Sequence, residues 1–283
     1  MSEGFWKGGA KAAFAFCFDL DGDTIWMNKI RRLPGWEQML KSRSVGLYGP
    51  RKGAYRILEI LRRYGLKATF FVPGNIVERY PAVIELILAD GHELGHHGYL
   101  HEDDYGATVA EQMALIEKSQ NEFEKISGKR AVGFRFTGSL LPETRKLLLN
   151  DGNTLYVSID IDDEKCGYID LDGETTSVAR VPCRQELDDY IQTVYNHYPP
   201  IPTGLPAVMP YEDVLQNFKR ELEGAVRYGN AVSTAFHPQI SGTPGRSVML
   251  EKLCEYVTES RDIWCAPCED IARWWIEHSK EAI

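Results

Sequence analysis

The sequence predicts an α/β fold whose parallel strands close into a barrel-like ring. Apolar runs of strand length alternate with stretches of helical periodicity, the rhythm of a parallel sheet with crossover helices. The residues able to do chemistry fall just past the predicted strands, at the end where such sheets collect their sites. The chain has 283 residues and 43% hydrophobic content, enough for one large core. No Ser/Gly-rich tract, charge block or internal repeat divides it, so a single domain over residues 1–283 is expected.

Each element follows from local pattern. Residues 12–18 form a continuous apolar run, as expected of a strand buried on both faces, and the run ends in Asp19-Leu20-Asp21-Gly22-Asp23. A helix is predicted over 53–64, where Ile57, Leu58, Ile60 and Leu61 keep helical spacing and Gly65 stops it. Residues 67–72 read as a second buried strand, ended by Pro73-Gly74. A helix over 81–89 starts with Pro81 in its first turn. Glu93-Leu94-Gly95 is a short strand, 109–126 an amphipathic helix, 132–135 a strand and 142–150 a helix. The run Ala231–Phe236 is another strand, with His237 at its mouth. Trp264, Trp274 and Trp275 are expected to pack on a C-terminal helix, and the segments 28–51 and 160–190 read as specificity loops.

Composition narrows the partners. A formal net charge of −9 argues against a nucleic-acid surface or an anionic membrane, both of which need clustered Lys and Arg. No apolar stretch reaches the ~18 residues of a membrane span. Lys7 and Lys11 precede the first apolar run, but no small-residue cleavage site follows, so a strand and a cytoplasmic protein are expected. The six cysteines are spaced too irregularly for a disulfide framework, and Cys265-Ala266-Pro267-Cys268 stands without a second pair to complete a zinc site.

The chemistry is concentrated. Four of the seven histidines lie between His92 and His101, and His97 and His101 are four apart, a spacing at which two rings can converge on one ion. Asp19 and Asp21, two apart at a strand end, project to one side, so one carboxylate can bind a metal while the other serves as a base. The Asp-Leu-Asp-Gly-Asp run is similar to a calcium loop, but its glycine comes too early and no acidic residue closes it. A His/His/Asp set with an open position suits a divalent metal, with Zn²⁺ the expected ion. Amide hydrolysis there needs a base for the water, a donor for the oxyanion and an acid for the leaving nitrogen. Asp19, a backbone amide and His237 fit those places. Trp26, Tyr99 and Phe136 are candidates to line a substrate pocket, and His96 either supports a ligand or faces solvent.

In order and spacing these residues resemble the polysaccharide deacetylase family, over residues 12–275. The resemblance implies a distorted (β/α) barrel that hydrolyses non-peptide C–N bonds. It implies Asp19 as base, Asp21, His97 and His101 as metal ligands, Arg135 orienting the base, and His237 protonating the leaving group. Two departures stand out: Leu20 separates the aspartates, and no proline follows Arg135. Those features, with Tyr48-Gly49-Pro50-Arg51, Glu186-Leu187-Asp188-Asp189 and His237-Pro238-Gln239, resemble a branch of peptidoglycan-deacetylase-like, allantoinase-like and cyclic-imidase proteins, often homo-oligomeric. An N-acetyl sugar amide is the first expected substrate, with a cyclic imide or ureide as the alternative. A carbohydrate-binding or scaffold protein on a decayed enzyme fold is the rival from outside enzymology.

Overall fold

The computed structural model describes residues 4–30, 33–102, 106–138, 140–158, 163–194 and 208–279. The strands are β1 (Ala12–Ala15), β2 (Cys17–Asp19), β3 (Thr69–Val72), β4 (Glu93–His96), β5 (Gly133–Phe134) and β6 (Tyr156–Val157). They continue with β7 (Gly167–Leu171), β8 (Glu174–Arg180), β9 (Cys183–Asp188), β10 (Ala231–Ala235) and β11 (Ile263–Cys265). They form two sheets, ordered β11-β1-β10-β9 and β2-β3-β4-β5-β6-β8-β7. Among the described strands, the β7/β8 hairpin is the antiparallel pair.

Two near-continuous strands join these sheets into a ring. β1 runs into β2 through Phe16, and β8 into β9 through Val181-Pro182. Val181 donates to the Val157 carbonyl on one side, and Ser233 donates to Pro182 on the other. Asp19 N–H bonds the Phe236 carbonyl and Phe236 N–H bonds Cys17, which completes the circuit from β10 to β2. The result is a distorted (β/α) barrel, with the hairpin and the split strands as its irregularities.

Alternation along the first strand explains why a fully apolar run serves here. Phe14, Phe16 and Phe18 point outward into one cluster with Ile57, Leu61, Val83, Ile87, Phe218 and Leu250 from the surrounding helices. Ala13, Ala15 and Cys17 face the other way, into a cluster with Phe71 and Tyr156. At two register pairs a glycine sits beside a large inward-facing ring. Gly95 pairs with Phe71 and Gly133 with Tyr156. A Cβ on Gly133 would lie 2.1 Å from the Tyr156 ring. That ring is pinned by its hydroxyl, which donates to Glu93 at 2.7 Å. Gly133→Ala is therefore expected to lower the thermal midpoint by several degrees, the overpacking penalty being about 1–3 kcal/mol.

The expected helices are found at Ala54–Tyr64, Pro81–Ala89, Val109–Ser127 and Pro142–Leu149. Thr108 and Glu111 close a capping box at the third of these. Several expectations change. Segment 28–51 is largely helical (Thr24–Ile30 and Leu40–Tyr48), and the described part of 160–190 is mainly the β7/β8 hairpin and β9. Trp264 lies on β11 rather than on the C-terminal helix, Cys268–His278, which carries Trp274 and Trp275. Among the described residues no helix is long and apolar enough to cross a membrane.

Glu93 titrates unusually at the base of the ring. It accepts from Thr69, Tyr156 and the Glu269 amide, yet removal of the carboxylate from water outweighs these donors and pushes its carboxyl up to about 7. A raised carboxyl favours folding below its unfolded value near 4.5, and that contribution is lost as pH rises through about 7. Compared with wild type in urea unfolding, Glu93→Gln should therefore gain stability between pH 5 and pH 8. An unchanged difference would refute the assignment.

Candidate active site

The C-terminal ends of the parallel strands deliver their side chains to one mouth of the ring. Asp19 ends β2, His97 follows β4, Arg135 follows β5, Ser158 follows β6, Asp188 ends β9 and His237 follows β10. Asp21, from the turn after β2, is wholly buried, and Asp19, His97, Arg135 and His237 are each under 10% exposed.

Arg135 crosses the lumen. Its Nη1 donates to Asp19 Oδ1 at 2.7 Å and to the Thr234 carbonyl, and Nη2 reaches the Ser158 and Ser233 hydroxyls. The guanidinium lies 4.2 Å over the Phe71 ring. Burial alone would lower its pKa, but the Asp19 charge overrides this and holds it well above the usual arginine range. One Asp19 oxygen is thereby fixed. The other faces His97 Nε2 at 3.9 Å.

Asp21, His97 and His101 form a compact group, with all their ligand atoms within 4.8 Å of one another. His97 Nδ1 bonds the Arg135 carbonyl at 2.7 Å, so that nitrogen carries the proton and Nε2 presents its lone pair. That lone pair faces Asp21 Oδ1 at 3.3 Å, and Oδ1 has no hydrogen-bond donor. Two acceptors this close require a cation or a proton between them. Ligands ~2.0–2.1 Å from a tetrahedral zinc ion would stand about 3.4 Å apart, so the group fits such an ion. His101 adds a buried nitrogen without a partner. Burial pushes the His101 imidazole down to about 4, which leaves it neutral and able to ligate.

The ligand loop is held from outside. His101 adopts φ 56°, a left-handed conformation uncommon for a residue with a side chain. Asn28 Nδ2 donates to the carbonyls of Leu100 and His101, and Glu102 accepts from the amides of Tyr99 and Leu100.

His237 lies on the other side of Asp21, its Nε2 3.6 Å from Oδ2. Its Nδ1 bonds Asp189 Oδ1 at 2.7 Å, and its backbone amide bonds the same carboxylate. Burial would lower His237, but the Asp189 bond and charge raise it well above the usual imidazole range. Asp188, Asp189 and His237 also lie within ligand distance of one another, but 2.7 Å is a direct N–H···O bond with no room for an ion. Sequence reasoning left Asp189 out of the site. The Glu186-Leu187-Asp188-Asp189 run just before a helix start was the available signal.

The three aromatics expected to line a substrate pocket each pack against other side chains. Trp26 packs in a satellite cluster with Ile25, Trp36 and Met39. Tyr99 sends its hydroxyl to Glu78 and lies under Lys118 on the outer helices. Phe136 packs near Phe134, which stacks on His96. His96 itself is fully buried rather than solvent-facing. It accepts from Gly98 N–H, and its Nε2 meets the Ile116 carbonyl. Period-two alternation explains the pair: His97 turns inward and His96 outward under the helix Val109–Ser127.

A family profile described as "Polysaccharide deacetylase" matches residues 48–155. A peptidoglycan deacetylase of Helicobacter pylori is 25% identical over 286 residues, covering 91% of this chain and 94% of the relative. A crystal structure of a candidate polysaccharide deacetylase from Mycobacterium smegmatis superposes with TM-score 0.87 and 29% identity, covering 99% of this chain and 95% of that one. The Puue allantoinase structure shares the fold, with TM-score 0.80 and 21% identity over 96% of this chain and 93% of that one.

Proposed function

We propose that this chain, of the polysaccharide deacetylase family, is a metal-dependent hydrolase that removes the acetyl group from an N-acetylated sugar. The observation that carries the metal dependence is the Asp21 oxygen and the His97 lone pair facing each other at 3.3 Å without a proton donor. Asp21, His97 and His101 would hold the ion, with Zn²⁺ our choice for this nitrogen and oxygen set. Such an ion polarises a carbonyl and lowers the pKa of water toward ~7.

The protein's own groups supply the rest. Asp19, one oxygen fixed by Arg135, takes a proton from the attacking water with the other. His237, held protonated by Asp189, gives a proton to the departing amine. Arg135 keeps Asp19 aimed.

A cyclic imide or ureide is the second reading, favoured by the Asp-Leu-Asp spacing and by Gln239 at Asp21. The zinc-loaded protein should release acetate from N-acetylglucosamine oligomers and lose that activity on chelation. Opening of succinimide-like or ureide rings in its place would favour the second reading. Bound zinc with no hydrolysis of either class would leave a binding protein. We include in the proposal a cytoplasmic homo-oligomer, checked by cell fractionation and light scattering.

A further inference from the structure

Two motifs have no place in the chemistry above: the Tyr48-Gly49-Pro50-Arg51 turn and the glutamine of His237-Pro238-Gln239. The structure packs them against each other, and Gln239 against Asp21. Gln239 is 3% exposed, and its Nε2 donates to Asp21 Oδ2 at 3.3 Å. The carboxylate fixes the amide orientation, because the reverse would set two oxygens face to face. Gln239 Oε1 then points away and is buried without a partner.

What stands behind Gln239 is Gly49. A Cβ there would lie 2.9 Å from Gln239 Oε1 and 3.3 Å from its backbone nitrogen. Gly49 has φ −51° and ψ −68°, angles alanine adopts freely, so space rather than conformational freedom requires glycine. The same closeness recurs along the contact. A Cβ on Gly53 would lie 1.9 Å from the Pro238 carbonyl oxygen, and one on Gly242 would lie 2.4 Å from Gly53 Cα. Arg56 ties the two turns by donating to the Gly242 carbonyl and the Tyr48 hydroxyl.

We propose that Gln239 is a positioning residue for the Asp21 carboxylate, and that the turn at Gly49 holds Gln239 in place by backbone contact. With Oδ2 engaged by the amide, Oδ1 is left directed at His97. This inference rests on the reading of Asp21, His97 and His101 as metal ligands.

Zinc affinity of the metal-free protein, measured by competition with a chelating dye, tests it without reference to activity. Gln239→Leu should weaken zinc binding about 10–100-fold, the usual effect of losing a hydrogen bond to a ligand. Gly49→Ala, which touches no ligand, should weaken it about 10-fold by displacing Gln239. The double variant should bind no more weakly than Gln239→Leu alone, since both act on one hydrogen bond. Circular dichroism establishes that each variant is folded, and if Gly49→Ala is not, Gln239→Leu decides the role of the amide. Unchanged affinity in Gln239→Leu, or additive losses in the double variant, would overturn the proposal while leaving the hydrolase reading intact. Wild-type protein that binds no zinc would overturn both.

Discussion

Asp19→Asn is expected to reduce turnover by about 10³-fold or more while bound zinc is retained. Asparagine keeps the shape and one oxygen for Arg135 Nη1, which now bonds Asp19 Oδ1 at 2.7 Å. It removes the capacity to take a proton, and that is the whole of the proposed role. The ligands Asp21, His97 and His101 are separate side chains, so the metal should remain. Metal content and kcat measured on one preparation decide the matter. Zinc lost with turnover would make Asp19 a ligand, and near-normal turnover would remove it from the mechanism.

The second large effect is expected at Asp189, which has no contact with Asp21. Both its oxygens are engaged: Oδ1 by His237 Nδ1, Oδ2 by the His237 amide and the Ser241 hydroxyl. Asp189→Asn must turn an N–H₂ toward one of these donors. The imidazole would change tautomer or rotate, and it would lose the charge that holds its proton. A fall in kcat of about 10²–10⁴-fold is expected, with KM and zinc content little altered. The basic limb of the pH–rate profile should move to lower pH, since the acid would shed its proton more easily. An unshifted profile with normal kcat would show that His237 needs no carboxylate partner.

Most elements up to residue 150 were legible because each carries its own pattern, such as the buried run before Asp19 or the helical spacing that Gly65 closes. The candidate ligands were legible for a related reason. Asp19 and Asp21 share one turn, His97 and His101 another, and both turns follow strands, so parallel topology brings them to one mouth.

The tertiary structure alone decided what depends on facing directions and on distant neighbours. Trp26 and Phe136 lie close to site residues in sequence yet turn into packing clusters, and Tyr99 sends its hydroxyl to Glu78, because neighbours along a chain need not share a face. Asp189 lies 48 residues from His237, and Gln239 lies 218 from Asp21. No local spacing encodes those bonds, because ring closure through Val181-Pro182 and Phe236 makes them. Gly49 shows the limit most clearly: its backbone angles suit any residue, and only the approach of a distant turn excludes a side chain there.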